Sequence, residues 1–267
     1  MCKECGCGLG GGDVKVGGHS RDPSHSHSHG HEHQNSHAPA PFKLDLNRSL
    51  MEKNDRLAER NRGFFKAKKL LVLNVVSSPG SGKTMFIRET AANLAGKLRV
   101  GVIVGDLATD NDAARLREAG IPVVQITTGT VCHLDADMVS QAATQLDLDK
   151  VDVLVIENVG NLVCPADYDL GEDLRVVLLS TTEGEDKPLK YPPMFHSAQV
   201  VVITKSDLAT VVGFHREQAL GNLKRVSHHA EIFELSSKTG QGMKAWLDFL
   251  VKQRGELEPP PLVLPQS

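Results

Sequence analysis

The segment Leu70-Leu71-Val72-Leu73-Asn74-Val75-Val76-Ser77-Ser78-Pro79-Gly80-Ser81-Gly82-Lys83-Thr84 constrains the fold more than any other part of the chain. Its near-continuous apolar run reads as a parallel strand covered on both faces. The glycines that follow let the backbone curl so that successive N–H groups point inward, and the residues beyond Thr84 read as a helix whose positive end faces the same point. Such a strand, loop and helix form a phosphate cradle. Gly80, Ser81 and Gly82 shape the loop, Lys83 reaches the β- and γ-phosphates, and Thr84 offers its hydroxyl to Mg2+. Glycine usually opens this pattern; here Ser77 stands in its place, with the core Gly-x-Gly-Lys-Thr intact.

Apolar runs of the same kind recur at 100–104, 123–127, 151–156, 176–180 and 200–204, with a weaker one at 232–235. Helical patterns lie at 47–69, where Leu50, Met51, Leu57, Phe64 and Phe65 give an amphipathic spacing, and at 85–98, 112–118, 135–146, 216–226 and 243–252. The alternation predicts a doubly wound, mostly parallel α/β sheet with ligands gathered at the carboxyl ends of its strands. Composition changes near residue 45, so three segments are expected: a disordered Cys/His-rich tail at 1–45, a P-loop domain at 46–254 and a Pro-rich end at 255–267. The tail has too few large apolar residues to offset its ordering entropy.

Charge and cysteine usage narrow the partners. With 30 Lys+Arg against 33 Asp+Glu and no basic block interleaved with aromatics, nucleic acid is not expected as a partner. No apolar run reaches the roughly 18 residues of a membrane span, and the expected location is the cytoplasm. Three of the five cysteines fall within the first seven residues, which is a poor disulfide framework and a plausible ligand set.

The strand ends carry nucleotide signals. Asp106 ends the second strand and is placed to hold Mg2+ or its water. Glu157 ends the fourth, three residues before Gly160, whose N–H can meet a γ-phosphate in a switch arrangement. Thr204-Lys205-Ser206-Asp207 has the form of a guanine-reading motif, in which the Asp207 carboxylate accepts from the guanine N1–H and exocyclic amine, and Ser236-Ser237-Lys238 resembles the last base-contacting loop. An acidic residue after a strand is often only a helix cap; four such signals in this order behind a phosphate loop are specific together.

Metal chemistry is the second theme. Cys2, Cys5 and Cys7 put three thiolates within six positions, with Gly6 letting the chain fold back on one ion, and the Cys2 amine joins them if Met1 is removed. A tract holding His19, His25, His27, His29, His31, His33 and His37 suits a low-specificity store for imidazole-loving ions. In the folded part, Cys132-His133 is expected to open a helix, and Cys164 lies four residues beyond Gly160, on the segment a nucleotide would move.

These features together resemble the hydrogenase nickel-incorporation GTPases, the HypB family of metallochaperones. The likeness rests on Cys2–Cys7, the histidine tract, Asp55-Arg56-Leu57-Ala58-Glu59-Arg60-Asn61, Ser77–Thr84, Cys132-His133-Leu134-Asp135, the stretch 157–165 and Glu183-Gly184-Glu185-Asp186-Lys187-Pro188-Leu189-Lys190-Tyr191-Pro192. The resemblance implies a GTP-dependent homodimer that delivers Ni2+ to the hydrogenase large-subunit precursor beside a zinc-containing partner chaperone. It assigns Cys132, His133 and Cys164 to an internal site for Ni2+ or Zn2+, and implies a lysine that crosses to the neighbour's γ-phosphate, Lys190 first and Lys187 second. The urease nickel-insertion GTPases share the core but lack the Cys-Gly-Cys start and the internal Cys-His-Leu-Asp. Two further readings stand beside the metallochaperone: an ATP-driven P-loop kinase or transferase, which Thr204–Asp207 disfavours, and a passive nickel store with a vestigial nucleotide fold.

Overall fold

Strands that are apolar on both faces must be covered on both sides, and the computed structural model arranges five of them in one sheet with two less buried strands at its edges. It describes residues 42–257. Cys2, Cys5, Cys7, His25, His27, His29, His31 and His33 lie outside those residues, as do 258–267. The strands are β1 (Leu71–Ser77), β2 (Val100–Asp106), β3 (Val123–Thr127), β4 (Val153–Glu157), β5 (Leu174–Ser180), β6 (Val200–Thr204) and β7 (Glu231–Glu234). Their order is β3-β2-β4-β1-β5-β6-β7 and every neighbouring pair is parallel. The phosphate loop therefore leaves the central strand, between β4 and β5, where ligands collect in such sheets.

Alternation along β1 divides the core. Leu71, Leu73 and Val75 enter one layer with Phe86 and Leu94 of α2 (Lys83–Leu94), Leu116 of α3 (Asn111–Glu118) and Trp246 of α8 (Met243–Glu256). On the opposite face Val72 meets Phe65 of α1 (Phe42–Ala67) and Val139 of α4 (Ala136–Ala143), while Val76 meets Phe195 of α6 (Pro192–His196) and Leu223 of α7 (Arg216–Val226).

Several expectations change at their edges. Residues 42–45, placed in the tail by composition, are helical, and 255–256 belong to α8. Cys132 and His133 do not open a helix. They sit in a turn, and α4 starts at Ala136 because Asp135 caps it, accepting from Met138 N at 2.8 Å. A short α5 (Lys187–Lys190) and α6 form where no helix was expected; their prolines stand in the first turn, where proline has no N–H bond to forfeit. In α1, Phe65 is buried but Leu50 and Phe64 are exposed, so its attachment is less apolar than its spacing suggests. Asn54 Nδ2 donates to Asp169 O at 2.8 Å and Ala136 N donates to Asn54 Oδ1 at 2.9 Å. Asn61 Nδ2 donates to Ala136 O at 2.7 Å and to Leu170 O at 3.1 Å. Gly171, at φ 88°, lies so close to α1 that a Cβ there would be 2.6 Å from Ala58 O.

Candidate functional site

The loop after β1 owes its shape to Gly80 and Gly82, both at positive φ. Lys83 Nζ folds back to donate to Ser77 Oγ at 3.0 Å, and burial lowers its pKa. Thr84 Oγ1 donates to Glu157 Oε1 at 2.9 Å, which joins the start of α2 to the end of β4. Glu157 is 2 % exposed, and burial pushes its carboxyl up to about 7, with Lys83 and Thr84 pulling the other way. Its Oε2 is buried with no hydrogen-bond partner. A hydroxyl beside an orphaned carboxylate oxygen suits a hard divalent cation such as Mg2+. Burial works to raise the Asp106 carboxyl, but the N–H groups of Thr109 and Ala108, each 2.9 Å from Oδ1, hold it below its usual range. Gly160 packs directly on the loop: a Cβ there would lie 3.1 Å from Pro79 Cα.

The base-reading candidates converge on the same loop. Thr204 Oγ1 donates to Ser81 O at 3.0 Å, and Lys205 Nζ donates to Gly80 O at 2.7 Å from a left-handed backbone at φ 57°. Asp207, Ser236, Ser237 and Lys238 share a cavity of about 220 Å³ with Ser81 and Gly82. Lys190 is exposed and paired with Asp186 at 2.6 Å, while Lys187 Nζ stands 5.3 Å over the Tyr191 ring.

The turn before α4 and the turn at the end of the Glu157 loop meet. Ligand atoms of Cys132, His133 and Cys164 lie within 4.8 Å of one another, the only such group of three or more among the described residues. Cys132 Sγ donates to Cys164 Sγ at 3.0 Å. His133 is buried, its ring stacks on Tyr168 with centroids 3.9 Å apart, and its Nδ1 has no hydrogen-bond partner. Burial lowers its pKa, with Asp135 and Asp167 opposing, which favours the neutral ring with its free lone pair. Two soft thiols with a neutral imidazole form a donor set for Ni2+ or Zn2+, not for Mg2+ or Ca2+.

Comparison with known proteins decides the family. The model of the CobW/HypB/UreG nucleotide-binding domain matches residues 71–234. Hydrogenase maturation factor HypB of Escherichia coli K12 is 50 % identical over 211 residues, covering 79 % of this chain and 73 % of the relative. The chain belongs to the HypB family of hydrogenase maturation factors. Among solved structures, HypB from Helicobacter pylori in complex with nickel has a TM-score of 0.74 at 41 % identity, covering 79 % of this chain and all of that one. HypB from Archaeoglobus fulgidus has a TM-score of 0.71 at 40 % identity, covering 78 % and 100 %. A P-loop nucleotide-binding domain is thus the common core of this HypB-family chain and its relatives.

Three features of the site carry little or no local signal in the sequence. Glu183 hydrogen-bonds Ser78 of the loop and is held above its usual range by burial, with the Lys187 charge opposing; in the sequence it stands out only within the 183–192 stretch. Tyr168 as the floor under His133, and Asn158 between the loops, had no local signal.

Proposed function

We propose that this HypB-family chain is a GTP-hydrolysing nickel metallochaperone, which binds, stores and delivers Ni2+ for maturation of [NiFe]-hydrogenase. One observation carries the reading: a single short connection runs from Glu157, bonded to Thr84, past Gly160, packed on Pro79, to Cys164, against Cys132. Nucleotide and metal therefore act on the two ends of one loop.

Lys83 holds the β- and γ-phosphates, and Gly160 N–H meets the γ-phosphate. Thr84, Glu157 and Asp106 would hold Mg2+, which would neutralise charge on the transferred phosphoryl group. Thr204 and Lys205 brace the loop while Asp207 reads guanine, flanked by Ser236, Ser237 and Lys238. Cys132, His133 and Cys164 take the cargo ion, with Zn2+ as a competitor. GTP or metal drives homodimerisation, with Lys190, or Lys187, reaching the neighbour's phosphate. The tail ligands from Cys2 to His33 gather ions in the cytoplasm, and the zinc-containing maturation chaperone and the hydrogenase large-subunit precursor are the partners.

The test is Lys83→Ala in the full chain. GTP turnover, slow in the parent at below about 1 s⁻¹, the low end of ordinary enzymes, is lost together with hydrogenase maturation, while nickel binding persists. A Lys83→Ala chain that still matures hydrogenase would reduce the protein to a passive store. Parent turnover of ATP as readily as GTP would favour the kinase-like reading.

A further inference from the structure

Asn158 is buried and follows Glu157 directly, and both ends of its side-chain amide are engaged. Asn158 Oδ1 accepts from Leu134 N at 3.2 Å and from Val159 N at 2.9 Å, and Asn158 Nδ2 donates to Asn74 Oδ1 at 3.2 Å. Asn74, the one polar side chain inside β1 before its final serine, passes the chain on, its Nδ2 donating to Glu172 Oε1 at 3.1 Å. Arg175 clasps the same Glu172 oxygen through Nε at 3.0 Å and Nη2 at 2.9 Å. The Arg175 guanidinium also donates from Nη1 to Ala166 O at 3.0 Å and from Nη2 to Tyr168 O at 2.8 Å.

The direction of each link follows from chemistry. An ionised Glu172 paired with Arg175 only accepts, so Asn74 must turn its NH2 to Glu172 and its oxygen to Asn158. Asn158 must then turn its own NH2 to Asn74 and its oxygen to Leu134. One end of this buried path holds the turn carrying Cys132 and His133, and the other holds the backbone just after Cys164, next to the Tyr168 ring under His133. A second, half-buried link runs from Asn161 Nδ2 to Cys132 O at 3.2 Å. Leu134 itself is wedged over Gly105, where a Cβ would come within 2.8 Å of it, so the turn cannot settle deeper.

We propose that Asn158 is the positioning residue that transmits nucleotide state to the metal ligands, because one buried amide beside Glu157 fixes both arms of the Cys132–His133–Cys164 set. This rests on the proposed switch reading. A displacement of residues 157–160 on γ-phosphate contact must carry Leu134 N and the Asn74–Glu172–Arg175 path with it, or leave buried polar groups unpaired, which a close-packed interior resists. Asparagine is required: aspartate keeps the acceptor for Leu134 but faces Asn74 Oδ1 with no donor, and alanine loses both.

The experiment uses the full chain with Cys2, Cys5 and Cys7 replaced by serine, which leaves Cys132 and Cys164 as the only thiols of the five cysteines. Nickel is titrated by thiolate-to-nickel absorption with GDP and with a non-hydrolysable GTP analogue. In the Asn158 parent the two affinities differ by about fivefold or more, the usual lower range of coupling between sites. Asn158→Asp and Asn158→Ala bring the ratio to within about twofold, with absorption amplitude and nucleotide affinity retained. A ratio preserved in either folded variant overturns the inference and leaves the switch reading standing; no difference in the parent overturns both. A readout that needs no substitution at 158 is hydrogen exchange at the Leu134 amide. It differs between the two nucleotide states if Asn158 moves, and equal rates count against the proposal.

Discussion

At the scale of a residue, Glu157 shows how burial sets a group's behaviour. Its carboxyl is raised from 4.5 to about 7 chiefly by burial. Between those two values the unfolded carboxyl has released its proton while the folded one still holds it, so rising pH favours the unfolded chain. Its stability contribution is therefore full below about 4.5 and is lost as pH rises toward about 7. Glu157→Gln removes that ionisation. In nucleotide-free protein the variant gains on the parent across this window, reaching roughly 3 kcal/mol at the plateau, at about 1.4 kcal/mol per pKa unit. Thermal melting at a series of pH values checks it, and a gain that does not vary with pH would refute the assignment. Lys83, Thr84 and Glu157 were legible because each follows a strand signal within a few positions. Asn158 was not, because what its amide does depends on Leu134 and Asn74, 24 and 84 positions away.

At the scale of an element, α1 acts as a brace. Asn61 bonds the carbonyl of Ala136, the first residue of α4, while Asn54 takes the N–H of that same residue. The helix thereby fixes α4, and the Cys132–Asp135 turn just before it. Asn61→Ala removes a buried donor from the carbonyls of both Ala136 and Leu170 and should cost about 1–3 kcal/mol. Gly171→Ala should cost more, because the φ of 88° is strained for alanine and the new Cβ meets Ala58 O. Urea unfolding of both variants measures this; a Gly171→Ala loss smaller than that of Asn61→Ala would mean that α1 shifts readily. Of Asn54, Asn61 and Gly171, only Asn61 falls in the 55–61 stretch that carries the family resemblance, and an amphipathic spacing gives no reason for it. The reason is backbone hydrogen bonding across elements, which periodicity does not encode.

At the scale of the whole molecule, the proposed function gives storage to a histidine tract and delivery to an internal three-ligand set. Deleting residues 19–37 should remove most bound nickel per chain while GTP hydrolysis is unchanged, because the tract lies outside the nucleotide domain in sequence. In the intact chain, capacity should fall as pH drops through about 6.5, where an ordinary imidazole takes up a proton and loses its metal-binding lone pair. Metal counting by atomic emission on both chains settles it, and equal capacity would end the storage role. Local order, by contrast, was written in the chain from the start. Continuous apolar runs demanded a parallel sheet covered on both faces, Gly80 and Gly82 demanded a tight loop, and a lysine and threonine at its end demanded phosphate chemistry. Each of these rests on neighbours in the chain, so the sequence by itself determined them. The meeting of Cys132 with Cys164, the raised carboxyl of Glu157 and the path through Asn158, Asn74, Glu172 and Arg175 were decided only by tertiary structure. They depend on which groups the strand order β2-β4-β1-β5 brings side by side and seals from water, and burial and through-space contact have no signature at any fixed spacing.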